Sequence, residues 1–368
     1  MSESALNTTP DARSSTSASP LLEIEDLHVR FQLREGDVKA VNGVSLSIPA
    51  KGTLGLVGES GCGKSVTAKA ILRILPRRAQ IDRGRILLHS GTDTGQPPTD
   101  LVQLDSDSKE MRRIRGGDIS MIFQEPMTSL SPVHTVGNQI MESVRLHQGK
   151  TRAEARDVAV DMLRLVHVPM AEQRVDTYPH QLSGGLRQRC MIAMALASQP
   201  RILIADEPTT ALDVTIQAQI LDLIEHLQKT LNMAMVMITH DLGVIAETAD
   251  QVAVMYLGRI VEQGSVDSLF NDPKHPYTRG LIASLPRIGQ GNENRLTAIP
   301  GTVPDAGAIP RGCPFHPRCS EFKRGVCDTE SVPLLEEVAP GHRAACFLYE
   351  PCISAKSGGS SQEVQGGG

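Results

Sequence analysis

The alternation of hydrophobic and polar positions predicts a chain that starts as an antiparallel sheet and continues as an α/β core. Short apolar runs bounded by polar turns predict strands at residues 22–31, 38–41, 44–48, 53–57, 84–88, 118–123, 202–206 and 233–239. The first three runs follow one another closely, so we expect them to pair antiparallel. The later runs alternate with helical segments, which is typical of an open α/β sheet.

Helical spacing predicts a small helical layer over residues 134–174. Thr151 and Glu154 have the three-residue spacing of an N-terminal capping box. One apolar stripe is predicted for the helix that follows, formed by Val158, Met162, Leu165 and Val166. Residues 1–20 and the tail from about 353 are polar and rich in small residues, and we expect both to be disordered.

Composition narrows the class of protein. The chain has 368 residues, 40% of them hydrophobic, with no tryptophan and a net charge of −5, so charge gives no argument for a nucleic-acid partner. No run approaches the roughly 20 apolar residues of a membrane span, and residues 1–20 lack the apolar core of a signal peptide. We therefore expect a cytosolic chain without disulfides.

Residues 58–65 carry the most specific chemical signal. They spell Gly-Glu-Ser-Gly-Cys-Gly-Lys-Ser, a phosphate loop, between an apolar strand and a helix. Glycines allow positive φ and a close approach to an anion, so the loop's N–H groups can cradle phosphates at a helix N-terminus. Lys64 can reach the β- and γ-phosphates, and the Ser65 hydroxyl can ligate Mg²⁺.

Polar residues end several predicted strands. Gln124, the pair Asp206 and Glu207, and His240 all follow apolar runs, so they are expected at the ligand-binding edge of the sheet. In a phosphate-loop protein the first carboxylate fits Mg²⁺ and the second can orient the attacking water. The stretch Leu182-Ser183-Gly184-Gly185 opens another helix and offers a second set of N–H groups for an anion.

Five of the seven cysteines lie after residue 312. Cys313, Cys319, Cys327 and Cys346 follow a proline-rich stretch, with Cys352 beyond them and no C-x-x-C pair. Their spacing alone does not decide whether these cysteines are free thiols, zinc ligands or iron–sulfur ligands. Phe31 could stack on adenine or be an ordinary core residue, and the local sequence favours the core position.

Taken in order, these motifs resemble the ATP-binding subunit of an ATP-binding-cassette (ABC) transporter. They are Walker A at 58–65, Gln124, Ser183-Gly184-Gly185, Walker B at 202–206 with Glu207, the turn Ala211-Leu212-Asp213, and His240. The resemblance implies a cassette over residues 21–270, built from a phosphate-loop core, an antiparallel β-subdomain and a helical subdomain. It also implies two cassettes facing head to tail around two ATP molecules.

The same resemblance assigns roles to residues. Phe31 would stack on adenine, Gly58, Ser60, Gly61, Cys62, Gly63, Lys64 and Ser65 would hold the phosphates, and Ser65, Gln124 and Asp206 would hold Mg²⁺. Glu207 would be the catalytic base, with His240 at the γ-phosphate. Ser183, Gly184, Gly185 and Asp213 would act across the dimer interface. The Cys62 side chain need do nothing, because its backbone N–H makes the contact.

Finer features resemble the dipeptide and oligopeptide importers: the stretch 124–132, the signature helix at 185–189, and His275-Pro276-Tyr277-Thr278-Arg279-Gly280-Leu281 in a C-terminal extension over 271–352. Many of these ATPases carry such a cysteine set, which implies a [4Fe–4S] cluster on Cys313, Cys319, Cys327 and Cys346.

The implied protein is a peripheral ATPase on the cytoplasmic face of the cell membrane. Its partners would be two permease subunits, a second cassette and an extracytoplasmic binding protein, without nucleic acid. The alternative is a soluble cassette ATPase acting on DNA or ribosomes, a class that usually has two cassettes, a coiled-coil insertion or basic arms.

Overall fold

The computed structural model describes residues 20–34, 36–90, 96–124, 129–210, 213–285 and 299–349. Most of the two predicted tails and Cys352 lie outside the described residues. Within the described residues no helix is both long and apolar enough to cross a membrane.

The N-terminal part of the chain forms a four-stranded antiparallel sheet in the order β2-β1-β4-β5. Its strands are β1 (Pro20–Leu33), β2 (Gly36–Pro49), β4 (Ala79–Leu88) and β5 (Thr99–Asp100). The prediction of separate strands at 38–41 and 44–48 was wrong, because β2 is continuous. The polar Asn42-Gly43 pair sits at a shift in the pairing with β1, where Gly43 has φ +84°, so it makes a bulge and not a turn.

The second sheet has eight strands in the order β11-β12-β10-β9-β3-β8-β7-β6. They are β3 (Gly52–Val57), β6 (Ile119–Ile122), β7 (Ile202–Asp206), β8 (Ala234–Thr239), β9 (Gln251–Tyr256), β10 (Arg259–Ser265), β11 (Glu336–Ala339) and β12 (His342–Ala344). The strands from β9 to β6 in this order pair in parallel. The other three pairings are antiparallel, so the C-terminal extension continues the sheet of the cassette.

The described residues also form ten α-helices. They are α1 (Lys64–Ile71), α2 (Lys109–Arg113), α3 (Val136–Gln148), α4 (Arg152–Leu165), α5 (Ala171–Arg174), α6 (Gly184–Leu196), α7 (Val214–Leu231), α8 (Leu242–Thr248), α9 (Val266–Asn271) and α10 (Pro276–Ala283). The predicted capping box is present, with Thr151 and Glu154 bonding reciprocally at the start of α4.

Two apolar cores lie on opposite faces of the eight-stranded sheet. Alternate residues of β7 show this: Ile202 and Ile204 pack with the antiparallel sheet, whereas Leu203 and Ala205 pack with the helical layer. Burial of both faces explains why the strands of this sheet are almost continuously apolar.

The extension is attached to the cassette by a buried polar cluster. Both oxygens of the Glu262 carboxylate are used: Oε1 accepts from the Lys274 backbone N–H at 2.6 Å and lies 2.7 Å from Nε2 of His342, and Oε2 accepts from the His275 N–H at 2.9 Å. Both side chains of the Glu262–His342 pair are buried. One carboxylate therefore ties β10, the approach to α10 and β12 together.

Candidate functional site

The phosphate loop joins β3 to α1, and two of its glycines could not be replaced without collisions. A Cβ at Gly58 would overlap the carbonyl oxygen of Met255, and a Cβ at Gly63 would overlap the carbonyl oxygen of Ala40. Both have positive φ, +153° and +108°, as has Gly61 at +81°. Ser60 and Gly61 are exposed at the tip of the loop. The loop thus has the glycine-lined backbone that an approaching phosphate needs.

Lys64 braces this loop from inside. Its ammonium donates to the carbonyl oxygens of Gly58 at 2.7 Å and Glu59 at 3.1 Å. The third contact, at 3.7 Å to the Cys62 sulfur, is weak. One of the three ammonium N–H groups is therefore available to donate a hydrogen bond to a phosphate. Burial raises the pKa of the Cys62 thiol, which keeps it a neutral, packed side chain beside the lysine.

Ser65 and Asp206 form a pair suited to Mg²⁺. The Ser65 hydroxyl donates to Oδ1 of Asp206 at 2.9 Å, at the end of β7. Burial is the main cause that raises the pKa of Asp206; the Ser65 hydrogen bond opposes the shift and the neighbouring Glu207 adds to it. A buried carboxylate beside a hydroxyl oxygen offers the hard oxygen ligands that Mg²⁺ prefers.

The Glu207 carboxylate contacts three other polar side chains at the edge of the sheet. Its Oε2 accepts from Gln124 Nε2 and from Thr210 Oγ1, both at 2.9 Å, and its Oε1 lies 3.5 Å from Nδ1 of His240. The structure therefore brings Gln124, Glu207 and His240 together. Glu207 also has φ +47°, a strained backbone for a residue with a side chain, and its N–H donates to the Ile238 carbonyl at 2.8 Å.

The second predicted anion site opens α6. Ser183 and Gly184 are exposed, and the Ser183 side chain makes no capping bond to its own helix in the described part of the chain. Gln188, buried on the same helix, donates to the carbonyl of Pro208 just after Glu207. This contact links α6 to the carboxylate end of β7.

Asp213 caps a helix of its own subunit, and its predicted role across the dimer interface stays a prediction. Its Oδ1 accepts from the Ile216 N–H at 3.0 Å and so caps α7, while its side chain remains at the surface. Ala211 and Leu212 of the same turn lie outside the described residues. Phe31 is half-buried on β1, opposite Val38 of β2 and Ala79 of β4.

Three contributors to this site were not singled out from the sequence. Thr210 and Gln188 lie inside stretches with strong motifs, but their spacing does not show which backbone or carboxylate they reach. Arg318 forms an ion pair with Glu59 of the phosphate loop across 259 residues, and no local pattern predicts a contact of that separation.

The four C-terminal cysteines lie near one another. The N–H of Cys313 donates to the carbonyl of Cys327 at 2.9 Å. Burial raises the pKa of Cys346 to about 12, and the nearby Cys313, Cys319 and Cys327 add to this shift. Burial also raises the pKa of Cys313, to about 11. Among the described residues, however, no three His, Cys, Asp or Glu side chains are placed so that they could hold a metal ion. The arrangement is a cluster of thiols, and it does not fit a closed metal cage.

Comparison with known families identifies two regions of the chain. Residues 41–210 match the family described as "ABC transporter", and residues 261–327 match "Oligopeptide/dipeptide transporter, C-terminal region". The first match contains the phosphate loop and the Asp206–Glu207 pair, and the second contains α10 and three of the clustered cysteines.

Whole-chain relatives agree with these matches. The chain is 51% identical to the protein named "Probable peptide ABC transporter ATP-binding protein y4tR" of Sinorhizobium fredii, over 93% of this chain and 99% of that one. It is 48% identical to the oligopeptide transport ATP-binding protein OppD of Bacillus subtilis, over 90% and 89%. Among solved structures, it resembles a dimeric ATP-binding cassette in a post-hydrolysis state bound to ADP and Pi, with 25% identity, a TM-score of 0.58 and coverage of 67% and 98%.

Proposed function

Since this chain belongs to the ABC transporter family of ATP-binding proteins, we propose that it hydrolyses ATP to drive the import of oligopeptides or dipeptides. The observation that carries the proposal is the pairing of two matches in one chain, a cassette at 41–210 and an oligopeptide/dipeptide transporter C-terminal region at 261–327. The cassette supplies the hydrolysis, and the C-terminal region identifies the class of transporter.

The residues at the sheet edge divide the chemistry among them. The phosphate loop N–H groups and Lys64 hold the β- and γ-phosphates, and Phe31 stacks on the adenine. Bound Mg²⁺ would neutralise phosphate charge, and the residues to hold it are Ser65, Asp206 and Gln124. Gln124 uses its amide nitrogen on Glu207, so its amide oxygen is the atom for Mg²⁺ or the water.

Glu207 is the catalytic base in this proposal. Two donors, Gln124 and Thr210, fix one carboxylate oxygen, which orients the other toward the attacking water and toward His240. A positioned base of this kind contributes roughly 10²- to 10⁴-fold to the rate. We propose that His240 contacts the γ-phosphate, and its side chain, which is 62% exposed, is accessible to nucleotide.

A second cassette completes each ATP site. The exposed Ser183 and Gly184, followed by Gly185, would present the N-terminus of α6 to the neighbouring subunit, and Asp213 would also act across this interface. ATP on one phosphate loop would then be closed in by the other subunit. Hydrolysis removes the ATP that holds the two cassettes together. The free-energy difference between the closed and open cassette dimers then drives the conformational change of the transport pathway. The second cassette is a copy or a paralogue.

The remaining partners follow from the class of importer. We propose that the chain binds two membrane-spanning permease subunits at the cytoplasmic face of the membrane, and that an extracytoplasmic binding protein delivers the peptide. The alternative of a soluble cassette ATPase acting on DNA or ribosomes is not supported, since the relatives are named as transport proteins and the C-terminal match is to a transporter region.

Reconstitution tests this function. The complete transporter, purified through this subunit and placed in liposomes with its binding protein, should accumulate peptide only with Mg-ATP. Glu207→Gln should abolish uptake while retaining ATP binding; Glu330→Gln, on a carboxylate that is 88% exposed, should transport normally. Uptake that continues at the wild-type rate in Glu207→Gln would refute the assigned base.

We propose further that Cys313, Cys319, Cys327 and Cys346 take up a [4Fe–4S] cluster with a structural or redox-sensing role, although the thiols as placed do not close a cage. Support comes from the donor set: four cysteine thiolates are the usual ligands of a [4Fe–4S] cluster, and two of these cysteines are joined directly, since the N–H of Cys313 donates to the carbonyl of Cys327 at 2.9 Å. Anaerobically purified protein should absorb at about 400 nm. Stoichiometric zinc without iron would refute the proposal.

A further inference from the structure

We infer that Arg318 is a positioning residue for ATP binding, which holds the phosphate loop in place from the C-terminal extension. The inference rests on the proposed ATP-hydrolysing function and adds a residue that lies outside the cassette motifs. Arg318 ends the short helix His316–Arg318, between Cys313 and Cys319 in the sequence.

Arg318 meets Glu59, the second residue of the phosphate loop, in a bidentate ion pair. The two guanidinium nitrogens donate to the two carboxylate oxygens at 2.7 and 3.0 Å. Only 4% of the Arg318 side chain and 28% of the Glu59 side chain are exposed. Arg318 is itself fixed, because its Nε donates to the Pro300 carbonyl at 3.1 Å. Such planar, two-point pairing defines geometry as well as energy.

A second contact from the extension reaches the same loop residue. The Glu59 backbone N–H donates to the Tyr277 hydroxyl at 2.9 Å. Tyr277 is fully buried in α10, and its ring packs on Tyr256 and Phe315 with centroids 4.7 and 5.3 Å apart. The N–H of Glu59 is thus directed at the extension and away from the phosphate cradle.

Glu59 is therefore held at three separate groups. Lys64 binds its carbonyl from within the loop, whereas Tyr277 and Arg318 hold its N–H and its carboxylate from the extension. Two of the three restraints come from outside the cassette. Since the N–H groups that cradle phosphate follow directly in the chain, freeing the first turn of the loop would misplace them, and small misplacements in such sites are costly.

The test compares Arg318→Met with Arg311→Gln in the full-length chain. Arg311 is the matched control, because it also pairs with a glutamate of the extension, Glu330, at 3.2 Å, but the two side chains are 81% and 88% exposed. We expect Arg318→Met to raise the dissociation constant of Mg-ATP, measured by titration calorimetry, by roughly tenfold. Arg311→Gln should change it by less than about twofold.

Steady-state hydrolysis in the assembled transporter separates positioning from a merely structural role. We expect Arg318→Met to raise KM for ATP more than it lowers kcat, and Arg318→Lys, which keeps the charge without the bidentate fork, to give an intermediate KM. A purely structural role would lower kcat through loss of folded protein and leave KM unchanged, and that result would overturn the inference.

Glu59→Gln covers the case in which Arg318→Met does not fold. It breaks the same ion pair from the half-buried loop side and leaves the extension intact, so it should also raise the dissociation constant roughly tenfold. A folded Glu59→Gln protein with wild-type affinity for Mg-ATP would refute the inference. If the wild-type chain itself failed to bind Mg-ATP, the proposed function would fail instead.

Discussion

Replacing His275 with asparagine should reduce the free energy of unfolding that this protein loses between pH 7.5 and pH 5.0. His275 is 1% exposed and caps α10, since its Nδ1 accepts from the Tyr277 N–H at 3.1 Å. Its Nε2 has no hydrogen-bond partner among the described residues. Burial lowers the pKa of His275 from 6.5 to about 3, with a smaller contribution from the nearby Arg279.

The sign and size of the effect follow from proton linkage. The unfolded chain takes up a proton at His275 below about pH 6.5, whereas the folded chain does not do so until about pH 3. Stability from this residue is therefore complete above pH 6.5 and is lost as the pH falls toward 3. Between pH 7.5 and pH 5.0 the loss is about 2 kcal/mol, because the slope approaches ~1.4 kcal/mol per pH unit only below pH 6.5.

Asparagine is the appropriate replacement because it caps helices well and does not titrate. The free energy of unfolding should be measured by urea titration at pH 7.5, 6.0 and 5.0, followed by far-UV circular dichroism because the chain has no tryptophan. His275→Asn is expected to lower stability at pH 7.5 but to lose ~2 kcal/mol less than wild type on acidification. His134→Asn, at an exposed histidine, is the control. Equal pH dependence in wild type and His275→Asn would refute the reasoning.

Two further predictions concern the loop and the attachment of the extension. Gly63→Ala should weaken Mg-ATP binding by about a hundredfold or more, because its Cβ would overlap the Ala40 carbonyl oxygen. Gly61→Ala should have a smaller effect, because its backbone also has positive φ but its Cβ meets no other atom in the described structure. Equal dissociation constants for the two variants would contradict this. Glu262→Ala should lower the free energy of unfolding by about 3–5 kcal/mol, since it leaves His342 and two backbone N–H groups without their acceptor. The exposed Glu330→Ala should stay within about 0.5 kcal/mol of wild type, and a similar small effect at Glu262 would show that the buried cluster does not secure the extension.

Local signals in the sequence were sufficient for much of the cassette. The phosphate loop, the polar ends of β7 and β8 and the Thr151–Glu154 box each depend on a few consecutive residues, so spacing alone locates them. The family and the cassette fold are confirmed by the comparisons. The roles of the individual site residues stay predictions, although the structure places Gln124, Glu207 and His240 side by side.

Features that depend on tertiary packing were harder to predict from the sequence. The buried side of α4 consists of Ala155, Ala159 and Leu163. Of the predicted stripe, Val166 is fully buried, whereas Val158, Met162 and Leu165 are only partly buried against the same core. Close helix packing favours small side chains there, which hydrophobicity alone underrates. The contacts of Tyr277 and Arg318 with Glu59 span 218 and 259 residues, and they depend on how the extension docks.

The claim that two cassettes share each ATP is tested most directly by the structure of the assembled transporter carrying Glu207→Gln with Mg-ATP bound. The expected result is a γ-phosphate held by Lys64 of one cassette and, within hydrogen-bonding distance, by a serine and glycine N–H groups at the start of the α6 helix of the other cassette. Where this chain faces the partner's nucleotide, those groups are Ser183, Gly184 and Gly185. An ATP molecule enclosed by a single subunit, with residues 183–185 far from any γ-phosphate, would contradict the proposed function.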